Sequence, residues 1–106
     1  MSSIDELISR IPKARTIAVV GLSRDPSKPS SQVASYLQFQ DYRIVPVNPT
    51  IDEVLGEKSY RSLLELPDSL KRQIDIVDIF RRPEYVPPIV DQAIELRKKY
   101  GKPSVI

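Results

Sequence analysis

Residues 16–31 read TIAVVGLSRDPSKPSS, and the order of types in that stretch decides the fold. Thr16–Val20 is a short, nearly continuous apolar run rich in β-branched residues, which suits a strand buried on both faces, as in a parallel sheet. Gly21 stops the run and lets the backbone turn sharply. After the polar loop, Ser30 or Ser31 is placed to cap a helix that carries Val33, Ala34 and Leu37 on one face. Strand, glycine loop, helix is the opening of a βαβ unit.

The chain on either side continues the alternation. Upstream, Ser3 and Glu6 form a capping box for a helix bearing Ile4, Leu7, Ile8 and Ile11, which Pro12 ends. Downstream, Arg43–Val47 (RIVPV) is a second strand, with Pro46 expected near a strand end. A connection through Gly56 leads to a brief apolar helix around Leu63, Leu64 and Leu66. Ile74–Phe80 (IDIVDIF) is the third strand. Pro87 and Pro88 fit the first turn of a long helix, where missing N–H groups cost nothing. Ile89, Ala93, Leu96 and Tyr100 line one side of it, and Gly101 closes it. Residues 103–106 (PSVI) read as the start of a fourth strand. Strands and helices in strict alternation imply parallel strands with helices on both faces. The expected fold class is therefore α/β: a Rossmann-like, doubly wound parallel sheet in three α/β/α layers. The 106 residues show no repeat and no linker, so residues 1–106 are expected to form one domain.

Composition narrows the chemistry. A net charge of +2 is too small to argue for nucleic acid, and no apolar run is long enough to span a membrane. The N-terminus lacks the pattern of a signal peptide, so a cytoplasmic location is expected. There is no histidine and no cysteine. That removes a Ser-His-Asp triad, a thiol nucleophile, a conventional zinc site and the usual general base near neutral pH. Binding is the default reading.

In open α/β sheets ligands sit beyond the carboxyl ends of the strands, where strand order reverses. Three loops follow the expected strands. In the first, Gly21 allows close approach of backbone to ligand, Ser23 offers a hydroxyl, and Arg24 and Lys28 bring positive charge beside a helix N-terminus. These form a phosphate cradle, or else Gly21 merely ends the strand and the charges are solvated. The loop is neither a GxGxxG nor a Walker motif. In the second, Asn48 and Pro49 stand where NAD enzymes carry an acid for the ribose hydroxyls, which counts against NAD. Taken alone, Asn-Pro is a turn that punctuates the chain. In the third, Phe80 is placed to pack on a base or an apolar cofactor arm and Arg81 to pair with phosphate, with Arg82 beside it. The alternative is a core phenylalanine with surface arginines. Asp75 and Asp78 lie three apart, on opposite faces of a strand, so they read as partners for a neighbouring loop and not as a catalytic pair.

Four blocks, IAVVGLSRDPSKPSSQVASYL, YRIVPVNP, LGEKSYRSLLELP and IDIVDIFRRPE, occur in an order that resembles the CoA-binding protein family. That family is similar in fold to the N-terminal CoA-binding domain of the succinyl-CoA synthetase α subunit. The likeness runs from Ile4 to Ile106. It implies a Rossmann-type domain that holds coenzyme A across the strand ends. By position, Gly21, Leu22, Ser23, Arg24, Lys28 and Ser30 would meet the pyrophosphate and adenosine part. Val47, Asn48 and Pro49 would form the next wall, and Ile79, Phe80 and Arg81 the third. Family members usually run on past the fourth strand through a further helix and strand. The chain is thus expected to be truncated relative to the family, or to complete its sheet with a partner; a homodimer is one reading and a marginal monomer whose last residues fray is the other. The synthetase's phosphohistidine machinery lies outside this domain, so the resemblance implies binding of a small nucleotide cofactor without ligase activity. Two other readings stay open. One is a subunit or fragment of a CoA-dependent ligase or acyl-transfer enzyme whose catalytic residues come from a partner. The other is a nucleotide-responsive regulatory protein.

Overall fold

The computed structural model describes residues 15–106. The helix expected over Ile4–Ile11 lies outside them. Three strands make the central parallel sheet: β1 (Thr16–Val20), β2 (Arg43–Val47) and β5 (Ile76–Ile79), in the order β2-β1-β5. A two-residue hairpin, β3 (Glu53–Val54) and β4 (Glu57–Lys58), stands apart from it. The helices are α1 (Pro29–Phe39), a 3-10 turn at Leu63–Glu65, α2 (Asp68–Lys71), a 3-10 turn at Pro83–Tyr85, and α3 (Val86–Tyr100).

β1 is central, and the register explains why its residues from Ile17 to Val20 are apolar. Ala18 lies between Val45 and Val77, while Ile17 lies between Ile44 and Ile76. Side chains alternate across a strand, so these two rows face opposite ways. Ala18, Val20, Val45, Val47 and Val77 pack with Leu63, Leu66, Leu70, Ile89, Ala93 and Leu96 from the 3-10 turn, α2 and α3. Ile17, Val19, Leu22, Ile44 and Ile76 pack with Ala34 and Leu37 of α1 and with Val54 of the hairpin. Both faces are covered, as the unbroken run of β1 predicts.

Two single-residue bridges extend the sheet. Tyr60 pairs in parallel with Val47 on the outer side of β2, and Val105 with Ile76 on the outer side of β5. With these counted, the order is Tyr60, β2, β1, β5, Val105, or 3-2-1-4-5 in chain order, which is the Rossmann arrangement. The third strand has shrunk to one residue. Its hydrogen bonds explain Pro46 in the middle of β2. Pro46 turns its carbonyl outward to accept from the Tyr60 N–H (3.0 Å), while Val47 turns inward to accept from the Gly21 N–H (2.8 Å). The N–H that proline lacks would have pointed away from β1, so no bond to the central strand is lost.

Several sequence expectations are corrected in detail. The N-cap of α1 is Lys28, with Pro29 in the first helical turn, so Ser30 and Ser31 lie inside the helix and cap nothing. The third strand is shorter than Ile74–Phe80, and the apolar helix around Leu63 is a 3-10 turn followed by α2. The hairpin through Gly56 was not expected; Leu55 and Gly56 both have positive φ, 55° and 74°, as a type I′ turn requires.

Candidate functional site

Strand order reverses between β1 and β5, and the chain leaves these two neighbours toward helices on opposite faces. Their ends are held close. The Phe80 N–H donates to the Val20 carbonyl at 2.8 Å, and on its other side β1 is tied to β2 by the Gly21 N–H donating to the Val47 carbonyl, also at 2.8 Å. Gly21 has φ +86°, and a Cβ there would sit 2.2 Å from the Phe80 carbonyl oxygen. Only glycine lets the first and third loops touch.

The first loop is set by short local bonds. Ser30 Oγ accepts from the Ser23 N–H (3.0 Å), and Ser23 Oγ accepts from the Asp25 N–H (3.0 Å). Asp25 Oδ1 accepts from both the N–H and the hydroxyl of Ser27, at 2.9 and 2.8 Å. The Ser27 backbone bond, then its hydroxyl, holds the Asp25 carboxyl below its usual range despite slight desolvation, with help from Lys28. The one acid of the loop is thereby committed to the loop itself. No side chain caps α1 and its first turn holds no acid, so the positive end of the helix dipole has no neutralising group within that turn.

A depression of about 630 Å³ lies over this switch point, lined by Gly21, Ser23, Lys28, Pro29, Ser30, Ile79, Phe80, Arg81 and Arg82. The first and third expected walls therefore meet here. All three ionisable groups in the lining are cations. Phe80 packs on the α1-side core and also lines the depression. The Arg81 guanidinium lies 4.8 Å from the centroid of the Tyr85 ring.

Other expected residues go elsewhere. Leu22 is fully buried in the core, and Arg24 is exposed without lining the depression. Asn48 works as a latch. Its Nδ2 donates to the Leu22 carbonyl (3.1 Å), and its Oδ1 accepts from the N–H (2.9 Å) and hydroxyl (2.8 Å) of Thr50. It is the turn residue that the Asn-Pro pair suggested, and it also ties the second loop to the first. Val47 and Pro49 line a second cavity, about 150 Å³, on the α3 side of the sheet. Val20, Leu63 and Ile89 complete its apolar wall, and Arg61, Ser62, Gln92 and the shared Arg81 its polar one. Arg82 and Pro29 were not in the expected site, nor was Arg61. Arg82 was legible beside Arg81. Arg61 had no signal, because a strand of one residue has no periodicity to announce it.

The carboxylates are structural. Burial would raise Asp75, but Lys102 and the N–H groups of Arg15 and Thr16, at 2.8 and 3.0 Å, outweigh it and hold the carboxyl below its ordinary value. Asp75 is thus the buried partner of neighbouring segments. Burial raises Asp78, partly offset by the Ile79 N–H. Among the described residues, no group of acids could hold a metal ion and no helix is long and apolar enough to cross a membrane.

Comparison with known proteins meets this geometry. Residues 15–105 match the family model described as CoA binding domain. The uncharacterized protein YneT of Bacillus subtilis (strain 168) is 43% identical over 94 residues, 89% of this chain and 64% of its own length. The α subunit of acetate–CoA ligase [ADP-forming] II of Pyrococcus furiosus is 39% identical over 64 residues, 59% of this chain and 14% of that protein. A hypothetical protein from Pyrococcus horikoshii OT3 superposes with a TM-score of 0.76 at 40% identity, covering 87% of this chain and 63% of the other. The chain thus spans less than two thirds of these relatives. A Rossmann order, a cationic depression at the switch point and a family match over 15–105 agree: the chain belongs to the CoA binding domain family.

Proposed function

We propose that this chain binds coenzyme A or an acyl-CoA at the C-terminal ends of its parallel strands, supplying binding and no chemistry of its own. One observation carries the reading: the depression at the β1/β5 switch point has only cations among its ionisable lining residues and lies at the uncapped end of α1. A diphosphate is the group that such a place suits. Gly21 and Ser23 bring backbone close to it, while Lys28 and Arg81 supply charge. Ile79 and Phe80 give an apolar wall for the pantetheine arm, while Val47 and Pro49 line the smaller cavity that shares Arg81, with Asn48 holding their loop in place. With no histidine or cysteine in the chain, the similarity to a ligase α subunit supports a holder of CoA whose reactive groups come from elsewhere.

Self-association belongs to the same proposal. Past the Val105 bridge, the outer side of β5 opens on a groove of about 290 Å³ lined by Ile76, Val77, Asp78, Ile79, Val86, Val90 and Ile106. Its apolar lining supports a second copy of this chain, packing there with its own β5 side, as the occupant.

Thermal unfolding with added ligand tests the binding. CoA at a hundred times its dissociation constant contributes about 2.7 kcal/mol, a rise of roughly 10 °C or more in Tm for a domain of this size. Dephospho-CoA should give less and NAD least. No shift with CoA, or a larger one with NAD, overturns the reading.

A further inference from the structure

We propose that Arg61 receives the ribose 3′-phosphate of coenzyme A, with the adenine ring in the second cavity; the inference rests on the CoA reading above. That cavity, about 150 Å³, equals the liquid share of about five waters, enough for one ring system and too little for a whole nucleotide. Its floor is apolar, from Val20, Val47, Leu63 and Ile89. It shares Arg81 with the larger depression, so a ligand whose diphosphate lies at α1 reaches it by crossing only the end of β1.

The end of β2 decides what the ribose meets. In NAD sites an acid there reads the sugar hydroxyls. Here Asn48 stands in that place, and its amide is already spent on Leu22 and Thr50. The next polar group is Arg61. Its backbone position is set by Tyr60, which bonds Pro46 and Asn48 on the edge of β2 (3.0 and 2.8 Å). Its side chain is exposed, borders both this cavity and a separate depression of about 410 Å³ that adjoins it beside Pro49 and Ile51, and makes no hydrogen bond or ion pair among the described residues. Glu65 and Asp52 border that adjoining depression together with Lys58, and neither pairs with Arg61. A guanidinium left uncommitted where a ribose would lie selects a phosphate on that sugar over bare hydroxyls.

Calorimetry with CoA and dephospho-CoA, which differ only by that phosphate, tests this on the wild type and on Arg61→Gln and Arg61→Lys. The wild type should prefer CoA. Arg61→Gln should lose about tenfold to a hundredfold for CoA and leave dephospho-CoA unchanged, and Arg61→Lys should recover part of the loss. The preference should shrink as salt rises, because the site is exposed. If the wild type binds both ligands equally, or Arg61→Gln weakens both alike, Arg61 does not read the phosphate although the CoA reading stands. If the wild type binds neither, both fall together.

Discussion

At the scale of single residues, Gly21 joins fold to site. Its φ is positive, and a side chain there would bring its Cβ within 2.2 Å of the Phe80 carbonyl oxygen and 2.9 Å of the Arg81 Cδ, so there is no room for one. The obstacle is backbone, which moves only if the first and third loops part. Gly21→Ala should therefore cost about 2–4 kcal/mol in a urea melt, from left-handed backbone strain plus overpacking. CoA affinity should drop more than tenfold while the far-UV spectrum keeps its helical and sheet bands. An alanine variant that binds CoA like the parent would remove this glycine from the site. That Gly21 ends the strand was legible, but a simple terminator and a close backbone approach read alike in sequence, and the contact with Phe80 depends on how the third loop stacks on the first. The roles of Ser30 and Asn48 were only half legible: their types signalled local hydrogen bonding, but the partners, Ser23 and Leu22, depend on how the loops stack.

At the scale of elements, Asp75 pins the start of β5 to the start of β1 and to the segment after α3. Its side chain takes the Arg15 and Thr16 N–H groups and Lys102, and its carbonyl takes the Ser104 N–H at 2.9 Å. Because its folded pKa is lowered, its stabilisation is present above the unfolded value near 3.9 and is lost as pH falls through the folded one. Asp75→Asn should cost about 1–3 kcal/mol at pH 7, and the gap between variant and parent should narrow as pH falls below the unfolded value near 3.9. A gap of constant size across that range would mean the carboxylate charge contributes nothing. Burial raises Asp78, so it acts with the opposite sign: the native state bears a cost once pH exceeds its unfolded value. Elements with regular patterns were readable, namely β1, β2, α1 and α3 with its cap at Gly101. The hairpin was not, since Leu55-Gly56 lacks the Asn-Gly signature and two-residue strands carry no alternation.

At the scale of the whole molecule, the sheet has two unlike edges. The β5 side presents the apolar groove with half-buried Asp78, and pairing there would desolvate that carboxylate further. Light scattering over a dilution series should show mass rising with concentration, more steeply at pH 5 than at pH 8. A constant monomer mass at both values removes the proposed dimer. The β2 side is different. Pro46 brings no N–H, its carbonyl is taken by Tyr60, and the Tyr60 carbonyl is taken by Asn48. Among the described residues, the ladder along that margin is interrupted at Pro46. If copies join through β5 as proposed, a broken ladder at Pro46 and Tyr60 would make the β2 margin a poor template for a further strand, so the pair would not extend from its far sides.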